Sequence, residues 1–395
     1  MDTALANLAT VIPNATDAQK NYTAALTWFL TLTGGETLEL VEYDASFSDT
    51  DCYNMRRAAA RAYADPDKVY DLTETVLLSG SDFQPNNWDK GIETLNGLTD
   101  SVKNNSGYSS FDGLLFGGDY TQALGSDFDS SNEGLHVFQD TITPTVNFDR
   151  HYAQGNHDAA GIDLLDTYGN NDPKGAPYGV FLVHEDNYNA YGGSGQQVAA
   201  DLTSYFNEKL ANGWGNKPIF VVSHLPLHYN YRTMKDGGAK SASYIIDALN
   251  SASEAGLNIF FLISHNHSGG YDDYLGGAAI YIPKGESILV PDAANYKNAP
   301  IETELKFTYM NCGYVAYYND MGMGADTSLT MCTFRIQANG DVIVTRYDKN
   351  GEHNLKSAGQ LSPYDRDYTT YTEADGRVYE SSRIVGAYKD EEYDG

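Results

Sequence analysis

The chain has 395 residues and a formal net charge of −29, from 54 acidic and 25 basic side chains. At 41% apolar and 20% charged it reads as a soluble globular protein with a sizeable core. So negative a chain is poorly suited to a nucleic-acid backbone or an anionic membrane. No apolar run reaches the roughly 18 residues of a membrane span. The N-terminus lacks the basic start and apolar stretch of a signal peptide. The mixture is rich in Tyr and sparse in Lys, which suggests an extracellular or cell-surface protein of a bacterium. Cys52, Cys312 and Cys332 form no metal-type pair, and in an exported chain a Cys312–Cys332 bridge is one option.

Residues 16–33 open with Thr16 and Gln19 in capping-box spacing. Tyr22, Ala25, Leu26, Phe29 and Leu30 then recur at helical intervals before Gly34-Gly35. A second helix is expected over 51–64, ending before Pro66. These predict a helical N-terminal segment over 1–70 that carries no obvious chemistry. From there short apolar runs alternate with amphipathic stretches. Ile92, Leu95, Leu98 and Val102 mark one such stretch, and Tyr244, Ile245, Ala248 and Leu249 another. Strands are expected at 75–79, 113–117, 148–153, 179–184, 218–223 and 258–263, an alternation that predicts an α/β domain. Further strands follow at 278–282, 286–290, 306–310, 313–318, 330–336 and 341–347. Asn339-Gly340 joins the last two as a hairpin. The domain is expected to span 71–350, leaving a polar extension over 351–395.

The unusual polar residues gather at the ends of the expected strands. "LLSGSDFQ" (77–84) places Asp82 and Gln84 after the first, and "GGDY" places Asp119 after the second. "GNHD" places Asn156, His157 and Asp158 after the third, "VVSH" places His224 after another, and "SHNH" places His265 and His267 after the last. In α/β sheets, sites collect at the carboxyl ends of strands, so these five places can converge. Carboxylate and amide oxygens suit Mg and Mn, and imidazoles suit Fe, Mn or Zn. Glycine before the polar residue (Gly117-Gly118, Gly155) lets the backbone turn sharply there.

In this order the motifs resemble those of the calcineurin-like metallophosphoesterase superfamily, over about 73–350. Its pattern is D-x-H, GD, GNH followed by an acid, a lone His after a strand, and GH-x-H. The resemblance implies a four-layer αββα sandwich of two mixed β-sheets flanked by helices, with two divalent ions at the strand ends. One ion would be held by Asp82, Gln84, Asp119 and His267. The other would be held by Asp119, Asn156, His224 and His265, with Asp119 shared. His157 would meet the phosphate and protonate the leaving oxygen, and Asp158 would orient it. The implied activity is hydrolysis of a phosphomonoester, phosphodiester or nucleotide pyrophosphate, by in-line attack of a hydroxide bridging the ions. The ions would also make a local electropositive trap for a small phosphorylated substrate in an acidic protein.

Two positions depart from the pattern: Gln84 replaces a histidine and Ser264 replaces a glycine. A glutamine can ligate through its amide oxygen, giving a harder, more weakly held site. A minority branch of the superfamily that carries glutamine here includes manganese-dependent enzymes, so the resemblance implies Mn, with Fe or Zn as alternatives. Gln122 stands where purple acid phosphatases carry a tyrosine ligand, which argues against that subgroup. His228 reads equally as a substrate contact or as a surface or supporting histidine, and Arg232 and Tyr229 on the same loop are candidates to meet a phosphate. His136, His151 and His184 read as structural, and "SDFDSSNEG" (126–134) lacks the glutamate of a calcium loop. The rival to an enzyme is a surface or binding protein that keeps the fold with turnover impaired at Gln84.

Overall fold

Apolar runs bounded by Gly, Ser, Asn or Pro form strands because Val, Ile, Leu and Phe pack well on both faces of a pleated sheet. The computed structural model describes residues 1–35, 44–85, 87–122, 128–146, 149–158, 169–170, 172–184, 195–230, 233, 242–265, 281–292, 299–315, 329–348, 351–354, 370–372 and 378–380. Its helices are α1 (Asp2–Val11), α2 (Asp17–Thr33), α3 (Asp49–Ala64), α4 (Trp88–Ser106), α5 (Phe128–Ile142), α6 (Gly195–Ala211) and α7 (Ala242–Glu254). The strands begin with β1 (Thr75–Gly80), β2 (Gly113–Phe116), β3 (Arg150–Tyr152), β4 (Gly169–Asn170), β5 (Gly179–Val183), β6 (Pro218–Ser223) and β7 (Asn258–Ile263). They continue with β8 (Tyr281–Ile282), β9 (Ser287–Val290), β10 (Ile301–Glu304), β11 (Thr308–Asn311), β12 (Gly313–Tyr314), β13 (Thr330–Ile336), β14 (Val342–Asp348) and β15 (Gly351–Asn354). A separate small hairpin is made by β16 (Thr370–Thr372) and β17 (Val378–Glu380).

This is an α/β protein with two mixed sheets and a helical N-terminal segment. The first sheet runs β15-β14-β13-β1-β2-β3, with β12 also on β13. β1, β2 and β3 are parallel, and β13 is antiparallel to β1. The second sheet runs β4-β5-β6-β7-β11-β8, with β5, β6, β7 and β11 parallel. Parallel pairing brings the carboxyl ends of neighbouring strands to the same edge. That is why ligands far apart in the chain share one rim.

The strands alternate between two buried faces. Leu77, Leu115 and Phe334 of the first sheet pack with Val180, Leu182, Phe220 and Val222 of the second, and the rings of Phe220 and Phe334 lie 5.0 Å apart. The opposite face of the first sheet, with Val76, Leu78, Leu114 and Phe116, packs against Leu95 and Leu98 of α4 and Phe138 of α5. The opposite face of the second, with Ile219, Val221, Ile259 and Phe261, packs against Leu202 and Phe206 of α6 and Ile245 and Leu249 of α7. Burial on both faces explains why these strands read as unbroken apolar runs.

The expected capping box is present: the Gln19 backbone N–H donates to Thr16 Oγ1 at 3.2 Å, and the Thr16 N–H donates to Gln19 Oε1 at 2.9 Å. The expected strands appear within a few residues of their reading. Three helices, α1, α5 and α6, were not legible as periodic stretches. α5 begins inside "SDFDSSNEG", and its Phe138 packs 4.1 Å from Phe116. Cys312 and Cys332 are buried free thiols, which settles the open pairing in favour of two thiols. Cys312 Sγ lies 3.2 Å from Ser264 Oγ. The first sheet continues past residue 350, because β15 pairs with β14 through Asn354. Among the described residues no helix is long and apolar enough to cross a membrane.

The N-terminal segment is joined to the sheets by buried charge. Arg57 Nε lies 3.2 Å and Arg61 Nη2 3.0 Å from the Asp112 carboxylate, with all three side chains buried. Asp112 Oδ2 also accepts the Val76 N–H at 2.8 Å, and Arg57 donates to the Leu72 carbonyl at 3.0 Å. The Arg61 guanidinium lies over the rings of Tyr108 (4.9 Å) and Tyr70 (5.4 Å). Burial alone would raise the Asp112 pKa, but Arg57 and Arg61 hold it below the usual carboxylate range. Its stabilisation is therefore complete above the ordinary carboxylate pKa and is lost as pH falls through the lowered value. Asp112→Ala strands two buried cations and is expected to cost about 3–5 kcal/mol, read by urea unfolding at neutral pH. A loss below about 1 kcal/mol, the scale of an exposed pair, would contradict this role.

Candidate metal centre

Each expected ligand stands just beyond a strand. Asp82 follows β1, Asp119 follows β2, Asn156 and His157 follow β3, His224 follows β6 and His265 follows β7. Asp82 (φ 55°), Asp119 (φ 62°) and His265 (φ 63°) all adopt the left-handed conformation, and Gln84 has φ 24°. For residues with a Cβ this is costly, on the order of 1 kcal/mol or more each, and it persists only where surrounding structure imposes it. Here hydrogen bonds between the turns impose it. The Asp82 N–H donates to Gly118 O at 2.9 Å, the Gln84 N–H to Asp119 O at 3.3 Å, and the Ser264 N–H to His224 O at 3.2 Å.

Two glycines make the turns fit. Gly118 has φ 94°, and a Cβ there would lie 2.5 Å from the Gly155 nitrogen. A Cβ on Gly155 would collide with Asp119 Oδ1. The backbones of "GGDY" and "GNHD" thus touch. Gly117 leaves the space that the Ser264 hydroxyl occupies, which is how the serine in the last motif is accommodated.

Asp119 is the hub. Its Oδ1 accepts the His157 N–H at 2.9 Å, and its Oδ2 accepts Gln84 Nε2 at 2.5 Å and lies 3.3 Å from His224 Nε2. His224 Nε2 is also 2.9 Å from Asn156 Oδ1 and 3.1 Å from His265 Nδ1. The other ring nitrogen, His224 Nδ1, is 2.8 Å from the Gly117 carbonyl. A carbonyl only accepts, so Nδ1 carries a proton, and in the neutral ring Nε2 would present a lone pair. That lone pair faces a carboxylate oxygen and an amide oxygen, which also present lone pairs. Such converging acceptors are unfavourable in a buried site unless a cation lies among them. Ligand atoms of Asp119, His224 and His265 all lie within 4.8 Å of one another, and this buried group could hold a metal ion. The nitrogen and oxygen donors suit Mn, Fe or Zn. The Nδ1–Gly117 bond is the kind of contact that orients a metal-binding imidazole.

The acids around the hub have distinct environments. Burial would raise the Asp119 pKa, but positive charge beside it, at His224 first and then at His157 and His265, would hold it well below the usual carboxylate range. Asp158 is pushed up to about 7 by burial and then by the Asp119 charge, against hydrogen bonds from the backbone. Those bonds come from the N–H groups of Asp119 (2.8 Å), Tyr120 (2.9 Å) and Gly155 (2.7 Å). Asp158, expected to orient His157, therefore ties the turn after β2 to the turn after β3.

Asp82, Gln84, Asp119, Asn156, His157, Asp158, His224 and His265 are brought together. Asp82 Oδ2 accepts the His265 N–H at 3.2 Å, linking the first motif to the last. His267 and Arg232 lie outside the described residues. His228 is buried; its Nδ1 is 2.8 Å from the Tyr309 hydroxyl and its Nε2 2.8 Å from Asn230 Nδ2. Two contributors were missed by sequence reasoning. Gln122 Nε2 donates to the Gln84 carbonyl at 2.9 Å, and Ser131 Oγ on α5 lies 3.5 Å from the His157 carbonyl. Gln122, three residues after Asp119, carries no sequence signal beyond not being a tyrosine, and Ser131 carries no periodic signal.

No family model matches the chain, and no curated protein matches it significantly. Gly155→Ala is expected to displace the Asp119 carboxylate and weaken Mn or Zn binding about 10–100-fold, measured by calorimetry. Unchanged affinity in a folded variant would show that the contact between the two turns does not position Asp119.

Proposed function

We propose that the chain is a metal-dependent phosphoric ester hydrolase of the calcineurin-like metallophosphoesterase type, built on a four-layer αββα sandwich. The observation that carries this reading is the convergence of Asp119, Asn156, His224 and His265, from four separate motifs, into one cluster of metal-capable atoms, buried at Asp119, His224 and His265. Three apolar clusters, one between the sheets and one on the far side of each, support the layer order. In this reading the substrate is a small phosphomonoester, phosphodiester or nucleotide pyrophosphate.

The division of labour follows from the chemistry of each side chain. A divalent ion held by Asp119, Asn156, His224 and His265 would supply positive charge for phosphoryl oxygens and a lowered pKa for water. Positive charge is what the remainder of this acidic chain lacks. His157 follows Asn156 in the same turn and is partly exposed, while its backbone N–H is fixed by Asp119. Its imidazole is assigned to donating the proton that the leaving oxygen needs. Asp158 keeps that turn against the turn of Asp119, so proton donor and ion-binding group move as one unit. Rigid positioning of this kind accounts for much of the barrier lowering in phosphoryl transfer.

The test is turnover of an aryl phosphate, an aryl phosphodiester and a nucleotide pyrophosphate with added Mn or Zn. Asp119→Ala is expected to abolish hydrolysis. His157→Ala is expected to lower kcat by about 10²–10⁴-fold with bound metal unchanged. Metal binding without turnover on any substrate would favour the rival, a binding protein that keeps the fold.

A further inference from the structure

Gln84 marks a second feature of this site. The superfamily resemblance places an ion among Asp82, Gln84, Asp119 and His267, with Asp119 bridging to a neighbouring ion. The Gln84 side chain is completely buried, and its Nε2 donates to Asp119 Oδ2 at 2.5 Å. An amide nitrogen carries two protons and no available lone pair, so this end of the group does not ligate. Its bond to an ionised carboxylate is charge-assisted and short. Oδ2 is also the oxygen 3.3 Å from His224 Nε2. One side of that oxygen therefore faces the lone-pair cluster, and another is filled by the amide.

Gln84 is held in this pose from several directions. Its N–H donates to the Asp119 carbonyl at 3.3 Å, and its own carbonyl accepts Gln122 Nε2 at 2.9 Å. The preceding Phe83 is fully buried between Trp88 and Phe138, with ring separations of 6.4 and 5.4 Å. Turning the amide over would set Oε1 against Asp119 Oδ2 at the same 2.5 Å separation. Two oxygens each about 2.0–2.2 Å from one ion normally sit roughly 3 Å apart, so even the flipped amide crowds a shared ion. Asp82 meanwhile accepts the His265 N–H at 3.2 Å.

We propose that this chain holds a single divalent ion, at Asp119, Asn156, His224 and His265, and that the Gln84 amide takes the place of a second. Gln84 is then a positioning residue: its N–H group fixes the carboxylate oxygen that two ions would otherwise share. The proposal rests on the reading above that the Asp119 group binds an ion at all.

The experiment counts ions rather than turnover. Metal-free full-length chain is titrated with Mn(II) and separately with Zn(II) by calorimetry. Bound metal is then measured after desalting, and coupling between Mn ions is read by electron paramagnetic resonance. Wild type is expected to bind one equivalent with an uncoupled Mn signal. Gln84→His is expected to bind two equivalents with a coupled signal. Gln84→Glu, which supplies an oxygen ligand, is expected to do the same and serves if the histidine variant does not fold. Two equivalents in wild type overturn the proposal. One equivalent in a folded Gln84→His or Gln84→Glu chain overturns the assignment of Gln84 as the group that excludes the second ion. No bound metal in wild type overturns the metal-site reading itself, and this proposal with it.

Discussion

A buried carboxylate must have its charge met by its surroundings, and Asp119 is surrounded by parts of three other motifs. Oδ1 is met by the His157 backbone, Oδ2 by the Gln84 amide with His224 Nε2 beside it, and the backbone nitrogen by Asp158. Removing any one of these partners would leave a desolvated polar group in the interior. The left-handed backbone at Asp82, Asp119 and His265 is tolerated for the same reason: the interlocked turns leave no other conformation that keeps these bonds.

β2 is held at both ends. Asp112 immediately precedes it and is gripped by Arg57 and Arg61 of α3; Asp119 follows it and organises the site. The N-terminal helices therefore belong to the same mechanical unit as the candidate centre, although they contribute no ligand. The facing sides of the two sheets, closed by Phe220 and Phe334, set the distance across which β2 and β3 present Asp119 and Asn156 to His224 and His265 beyond β6 and β7. Candidate ligands arrive from both sheets, so the cluster depends on the packing between them as well as on the turns.

Much of this was legible in the chain. The capping box at Thr16 and Gln19, the apolar strands and the polar residues at their ends are local signals, each with a short-range physical cause. The helices α1, α5 and α6 were not, because their stability comes from what they cover. α5 carries Ser, Asp, Asn and Gly in its first turns, and it is Leu135, Phe138 and Ile142 packed on the first sheet that secure it. Residue type also leaves a side chain's partners open. Asp158 reads as a partner for the preceding histidine, and its carboxylate accepts three backbone N–H groups as well. His228 reads equally as a substrate contact or a supporting histidine, and its ring nitrogens lie against Tyr309 and Asn230.

By itself the sequence determined which residues could bind a metal and that each would stand at a strand end. Strand termination by glycine and polar residues is a property of neighbours in the chain, and composition records it. Only the tertiary structure decided which of those residues meet, and through which atoms. That the Gln84 nitrogen faces Asp119, that His224 turns Nδ1 to Gly117 and Nε2 inward, and that Gly117 makes room for Ser264 are all outcomes of packing between distant segments. The physical reason is one of range. A side chain's identity names its donors and acceptors, but their direction is set by the backbone turn beneath it and by neighbours brought from elsewhere in the fold.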